Sequence, residues 1–597
     1  MKRIVLFFVG LSTAVTLLYC NKKNKEESYV SPEKNQAVVY LDQGWSQADR
    51  EEFYWAPQGS ALISTDIYLA LIDPISNLPI NDPRFTQQFG FISENYKSNK
   101  NPYNMPVGLA SSTIKDGPFK GTYMGVTCAA CHTNQVSYQG KAIRIDGGNS
   151  THIRIEPWLQ RLSTALDTVQ NNPKKFKQLL AKINTKKAVS EADVKARLAE
   201  DAEYLRSWVY EGMFSNQISG PGRMDAFGGE GNAFLGMHTG IWENINPTVA
   251  PVKPPFLWNS SHSSWVEWSG VAANPLIRNY SQALGVFARY NLKANADPKN
   301  YFETSIDFKK IIELEKMIRR LAPPKWPEQI LGKIDAKKAA RGAQLFKANC
   351  ATCHSVYPHR WSEPRMENMR MIENTLVPQR YVGTDDVNLN SKVLEMQPVV
   401  FTKHLSSLFD GKEQVTSTEF FTVIESKMMA ESIKKSGLSA AELLDANGYI
   451  DLSKPMGKAP SNCYKAAPRD GSWAIGPFLH NGSVPNLFEL LSPLKERSTT
   501  FYMNSDFDAK KVGISTDKKS GFLYNTQIKG NSNAGHLFDN KNASGVIGRL
   551  LTKKERYELI EYLKSIPNKE GQITPYGGPS NPIDAKMDKT WFGNIIK

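Results

Sequence analysis

The sequence predicts a mainly α-helical protein in two units, with long loops and little β-structure. Three observations predict it. Several stretches carry apolar residues at helical spacing, proline and glycine punctuate the long segments between them, and one short cysteine–histidine motif occurs once in each half. The chain has 597 residues, 41% hydrophobic and 22% charged. That is room for several cores. Ordinary apolar content without a heptad or triplet period excludes a disordered chain, a collagen and a coiled coil. A polytopic membrane protein is excluded too: the one long apolar run is Ile4–Leu18, and nothing later approaches the ~20 residues of a bilayer span.

From the amino terminus, Lys2 and Arg3 precede that run and a polar stretch follows Cys20, the pattern of an export signal. Cys20 stands where a bacterial lipoprotein carries its lipidated cysteine; an uncleaved membrane anchor is the alternative, and either places the body outside the cytoplasm. Residues 1–20 are therefore read as signal, 21–36 as a polar tether, 37–327 as a first domain and 328–597 as a second. In the first, helices are expected over Glu156–Gln170, Pro173–Ile183 and Ser190–Met213, the last opened by Ser190 and Asp193 in a capping-box pattern. Phe308–Leu321 is a further amphipathic helix, ended by the proline cluster Ala322-Pro323-Pro324-Lys325-Trp326-Pro327, which is the expected boundary. In the second domain Ala336–Asn349 is helix-forming. Near the end Thr552 and Glu555 form another capping box before Leu559, Ile560 and Leu563 on one face.

The cysteines point to the cofactor. Apart from Cys20 and Cys463, all of them fall in Cys128-Ala-Ala-Cys131-His132 and Cys350-Ala-Thr-Cys353-His354. In C-x-x-C-H, two thiols form thioethers to a porphyrin and the adjoining histidine coordinates its iron. One such motif alone could be a redox dithiol or half a zinc site. Two copies in an exported chain, without further paired cysteines, predict two covalently bound c-type haems, so that the units are cytochrome c-type haem domains. Cys463 is expected to be a buried structural thiol. The net charge of +14 comes from scattered lysines. It reads as a solvated basic surface suited to an acidic redox partner rather than as a nucleic-acid site. Beyond His132 and His354 the chain has His152, His238, His262, His359, His404, His480 and His536 as possible further ligands.

The segment from Tyr464 to Leu487 (YKAAPRDGSWAIGPFLHNGSVPNL) resembles the signature of the bacterial di-haem cytochrome c peroxidase superfamily. Within it the chain is most similar to the secreted di-haem rubber (latex) oxygenases, through Asp42–Ile63, Gly125–Gly148, Pro254–Phe287 and Gly530–His536. The resemblance implies that His480 sits near a haem without ligating it, and that His536 completes a bis-histidine centre with His354; Met456 is the other candidate. It also implies that the haem of His132 keeps an open face for dioxygen. Leu494 stands where the peroxidases carry an axial methionine, and Ala272-Ala273-Asn274 stands near the oxygenases' distal aromatic position. Phe256, Trp258, Trp265 and Trp268 are candidates to line the pocket or bridge the haems, or else are core. Arg278 is a candidate partner for a haem propionate or for a surface carboxylate. The function implied is an exported, lipid-anchored haem oxidoreductase, periplasmic or on the outer membrane, that cleaves an olefinic, polyisoprenoid-like substrate with dioxygen. A peroxidase fed by a small redox protein and a non-enzymatic electron-transfer cytochrome are the alternatives.

Overall fold

The computed structural model describes residues 36–566, apart from 95–96, 187, 214, 216–217, 391–397, 401–402, 413 and 452–461. Residues 1–20, expected to be a signal, with Cys20, most of the expected tether and Met456 lie outside the described residues. The fold corrects the mainly α expectation: it is 40% helical and 15% strand, a mixed α/β structure with several small sheets. Two three-stranded and five two-stranded sheets occur among the described residues.

Strand begins where only a loop leading to helices was expected. Directly after His132, Thr133–Tyr138 pairs antiparallel with Lys141–Asp146, and Ala37–Tyr40 joins the latter in parallel. The hairpin closes through Gln139 and Gly140 at φ 46° and 77°, the paired left-handed conformation of a tight primed turn. A second sheet sets Gly121–Val126 between Ile63–Ser64 and Leu109–Ile114 and leads straight into the first motif.

The expected helices form with small shifts. Ile155–Gln170 buries Trp158, Leu159, Leu162, Leu166 and Val169, a stripe at helical spacing. Each such side chain contributes roughly 1.5–3 kcal/mol when fully buried. Pro173–Asn184 starts on a proline capped by Asn172. Glu191–Ser207 starts on Ser190, whose hydroxyl accepts the Asp193 N–H, and runs into a wider turn over Trp208–Gly212. Phe308–Ile318 stops three residues before Leu321, and the proline cluster comes directly after. There Trp473 donates its indole N–H to the Pro324 carbonyl.

Further on, Ala336–Asn349 packs on the terminal helix Lys553–Ser565, which opens with the reciprocal Thr552/Glu555 capping box. Their crossing is close because of Gly342: a Cβ there would lie 2.0 Å from the Glu558 carbonyl. Phe346 meets Tyr562 at 5.2 Å, and Arg341 bridges to Glu558 at 2.6 Å. The longest helix among the described residues, Ser417–Ser436, joins a separate apolar cluster with Phe234, Tyr280 and Phe308. No helix among the described residues is long and apolar enough to cross a membrane.

One apolar cluster positions the site. It contains Ala129 with Cys128 at its edge, and Phe346 with Cys350 and Ala351 at its edge. Phe256, Trp258 and Trp473 belong to the same cluster. Both cysteine motifs therefore rest on one continuous core.

Candidate functional site

The first motif forms one helical turn, Cys128–Cys131, after strand Gly121–Val126. Thr127 precedes it in extended conformation; the His132 N–H bonds the Cys128 carbonyl at 3.0 Å, and the Ser150 N–H bonds the Cys131 carbonyl at 2.9 Å. The turn thus projects two sulfurs and an imidazole from a fixed backbone. In the second motif Cys350 ends the helix Ala336–Asn349, and Arg360 ties down the next three residues. Its guanidinium donates to the carbonyls of Ala351 (2.6 Å), Thr352 (3.2 Å) and Cys353 (3.1 Å).

The electrostatics argue against thiol redox chemistry. Burial pushes Cys128 up to about 11, and Cys131 and Cys350 up to about 12, whereas redox dithiols work through a depressed pKa. Among the described residues no group of three or more His, Cys, Asp or Glu could hold a metal ion, so neither motif is completed into a zinc site. Burial also holds the motif imidazoles neutral, the form that ligates iron. His132 falls to about 4, with the Pro255 carbonyl pulling the other way, and His354 falls well below its ordinary value.

His354 has a facing partner. Its Nδ1 hydrogen-bonds the Ala467 carbonyl at 2.9 Å, and its ring stands 6.3 Å from that of His536, with the planes at 50°. Two imidazoles bound to one metal through bonds of about 2 Å, each ring centre roughly 1 Å behind its nitrogen, stand about 6 Å apart. The ring separation therefore matches that of two imidazoles sharing one metal. The loop carrying His536 is held by a residue that sequence reasoning passed over. Arg497, 5% exposed, donates to the carbonyls of Asn533 (2.6 Å), Gly535 (2.9 Å) and His536 (2.9 Å), and to those of Glu489 and Leu490. The His536 N–H bonds Val382 O at 2.7 Å, and Gly535 approaches Gly383 so closely that a Cβ would lie 2.2 Å from its carbonyl carbon. Burial beside Arg497 and Arg469 lowers His536 to about 3.

His132 has no such partner: no other histidine ring stands against it among the described residues. The remaining imidazoles are engaged elsewhere. His152 bonds the Gln135 carbonyl, His238 that of Tyr290 at 2.6 Å, His262 that of Arg319 at 3.3 Å and His404 that of Leu292 at 2.8 Å. His359 lies 3.7 Å from Asp470. His480 stacks on Tyr464 at 4.3 Å between centroids and meets its hydroxyl at 3.1 Å.

Trp258 is fully buried, stacks on Phe256 at 4.8 Å and donates to the Asp470 carbonyl at 2.9 Å. It joins the segment beside His132 to the segment after the second motif. Trp268 is half-buried and donates to the Lys253 carbonyl; Trp265 is half-buried as well. Arg278 lies near Cys128 and His132, and its partner is a buried carboxylate, Glu315, at 2.9 Å rather than one on the surface. Cys463 is 5% exposed in strand Cys463–Ala466, and Leu494 is 43% exposed.

Comparison with known proteins bears on the segment around His480. The model of the RoxA-like, cytochrome c-like family matches residues 463–502. The uncharacterized protein y4iJ of Sinorhizobium fredii is 29% identical over 592 residues, covering 89% of this chain and 93% of its own. The uncharacterized protein y4iM of the same organism is 25% identical over 339 residues, 54% of this chain and 66% of its own. The family match speaks to the rubber-oxygenase side of the resemblance and leaves the peroxidases aside. It supports a cytochrome c, rubber oxygenase-like relationship for this chain, and with it a haem oxidoreductase that binds haem covalently.

Proposed function

We propose that the chain is an exported, lipid-anchored oxidoreductase carrying two covalent haems, and that it cleaves an olefinic, polyisoprenoid-like substrate with dioxygen at the first. Cys128 and Cys131 would hold the first porphyrin and His132 its iron; Cys350 and Cys353 would hold the second porphyrin, and His354 and His536 would hold its iron. A haem iron with two protein ligands passes electrons, and one with a single protein ligand also binds a small gas or oxidant. The observation that carries the reading is the asymmetry of the two histidines: His354 faces an imidazole at 6.3 Å, and His132 faces none among the described residues.

The chain's own residues do the positioning. Ala467 and Arg360 fix the orientation of His354 and its cysteines, and Arg497 fixes His536. Phe256 and Trp258 exclude water from the space between the motifs and pack the two halves together. The lipid on Cys20 would tether the protein outside the cytoplasm, in the periplasm or on the outer membrane, and its basic surface would suit an acidic electron donor.

Oxygen uptake tests the reading. The purified protein is given an unsaturated polyisoprenoid, and carbonyl-ended fragments are sought by mass spectrometry. Fragments formed with oxygen consumption support it. Turnover of peroxide with a reduced small cytochrome, without oxygen uptake, would replace the oxygenase by the peroxidase.

A further inference from the structure

Four cations lie between the two motifs, three of them without an ion-pair partner. Arg278, 6% exposed, pairs with Glu315 and neighbours Cys128 and His132. Lys253 is 3% exposed; its ammonium donates to the carbonyls of Ile475 (2.5 Å) and Pro477 (2.6 Å) and lies 5.6 Å from the Trp268 ring. Trp268 joins Lys253 to Lys465, donating its indole N–H to the Lys253 carbonyl at 2.7 Å and accepting the Lys465 N–H at 2.7 Å. Arg469 donates from Nε to the Ala467 carbonyl at 2.9 Å, the same oxygen that meets His354 Nδ1. It also neighbours Cys350 and His536.

Carboxylates are few here. Glu267 faces Lys465 without forming an ion pair, and takes its hydrogen bond from Gln282. Asp470 accepts the Tyr357 N–H and faces His359. Among the described residues Lys253, Lys465 and Arg469 have no carboxylate at ion-pair distance. Burial, with neighbouring cations adding to it, lowers Lys465 to about 8 and draws Lys253 well down; burial lowers Arg469 to about 10. Lys253 and Arg278 are buried and Lys465 and Arg469 half-buried; cations withdrawn from water are costly unless anions complete them.

We propose that Lys253, Lys465 and Arg469, with Arg278 at the end nearer the first motif, form a cradle for the propionate carboxylates of the bound haems. The inference rests on the proposed haem-binding function and adds the residues that receive the porphyrins' acidic edges. Charge-assisted hydrogen bonds from ammonium and guanidinium groups to carboxylates supply the recognition. Cations beside the porphyrins also favour the reduced irons, because they offset the electron each gains.

The test uses the full-length, haem-loaded protein. Haem content is counted by pyridine haemochrome, and each haem is followed through an optical redox titration in wild type, Lys465→Met and Arg469→Gln. Lys310→Met, which removes a cation paired with Glu52, serves as the control. The ferrous-to-ferric ratio of at least one haem at fixed potential is expected to fall five- to tenfold in each neutral variant, tenfold being 59 mV for a one-electron couple. Lys465→Arg is expected to restore it, and the control to leave it unchanged. Shifts below twofold with both haems bound, or an equal shift in the control, would overturn the inference. If a neutral variant fails to load haem, Lys465→Arg and Arg469→Lys are compared with wild type by the propionate bending band in resonance Raman; an unmoved band in both overturns it. Fewer than two haems in the wild type would instead defeat the functional reading.

Discussion

Arg497 is the residue whose loss should most clearly separate the second motif from its facing histidine. Replacing it with Leu removes five hydrogen bonds of 2.6–3.2 Å to carbonyl oxygens, three of them in the His536 loop. A buried acceptor left unsatisfied costs about 1–3 kcal/mol, so three loop carbonyls give about 3–9 kcal/mol before any water enters. Water reaching part of the gap brings the expected loss of stability to ~4 kcal/mol. The loop then keeps the His536 N–H bond to Val382 and the side-chain bonds at Ser532 and Asn533, and the carbonyls of Gly535 and His536 lose their donor. Urea unfolding followed by circular dichroism measures the first effect, and the low-spin signature of the second haem measures the other. Arg497→Leu is expected to unfold at markedly lower urea and to gain high-spin character, with Arg497→Lys intermediate. A variant within about 1 kcal/mol of wild type whose second haem stays fully low-spin would refute the reasoning.

The same geometry sets other outcomes. Gly535→Ala adds a Cβ 2.2 Å from Gly383 backbone at φ 75° and is expected to cost about 2–4 kcal/mol with a similar gain of high-spin haem, whereas Gly140→Ala, where a Cβ meets nothing, should leave the spectrum unchanged. His480→Gln, in a ring bonded to Tyr464 rather than placed against a motif histidine, is expected to keep the low-spin spectrum; conversion to high-spin would make it a ligand. Glu425 is held up to about 7 by burial, against the hydrogen bond from Ser281, with Glu230 and Glu267 in the same acidic region. Its folded-state pKa exceeds the unfolded value near 4.5, so the folded state binds the extra proton and stability falls as pH rises through that window, by about 3 kcal/mol at 1.36 kcal/mol per unit. Glu425→Gln should flatten the pH dependence of urea unfolding between pH 5 and 8, and an unchanged slope would count against the raised pKa of this half-buried acid.

Helices were legible because their signals are local. Ala336–Asn349 forms over the expected residues, and the Thr552/Glu555 box closes as a reciprocal pair. The hairpin after His132 was hidden because residues 142–146 are buried on both faces, which erases the period of two, and because Thr133, Asn134 and Gln135 turn polar side chains inward. Gln135 there serves as acceptor for the buried Arg144. Only the Gln139-Gly140 turn left a trace. At the site, C-x-x-C-H is readable because its spacing is its chemistry. The proximity of His536 to His354 joins positions 182 apart in number (536 − 354), and only the resemblance pointed to it. Lys465 and Arg469 fall inside the signature from Tyr464 to Leu487, which gave them no role, and Arg497 and Lys253 carried no pattern: an arginine that binds five carbonyls has the same sequence signature as one on the surface.

Carbon monoxide titration of the dithionite-reduced protein tests the central claim most directly. The absorbance of each haem is followed against the total counted by pyridine haemochrome. One of two haems taking the gas, with the other unchanged, is the predicted result. Both haems binding it, or neither, would contradict an accessible iron at His132 beside a closed one between His354 and His536.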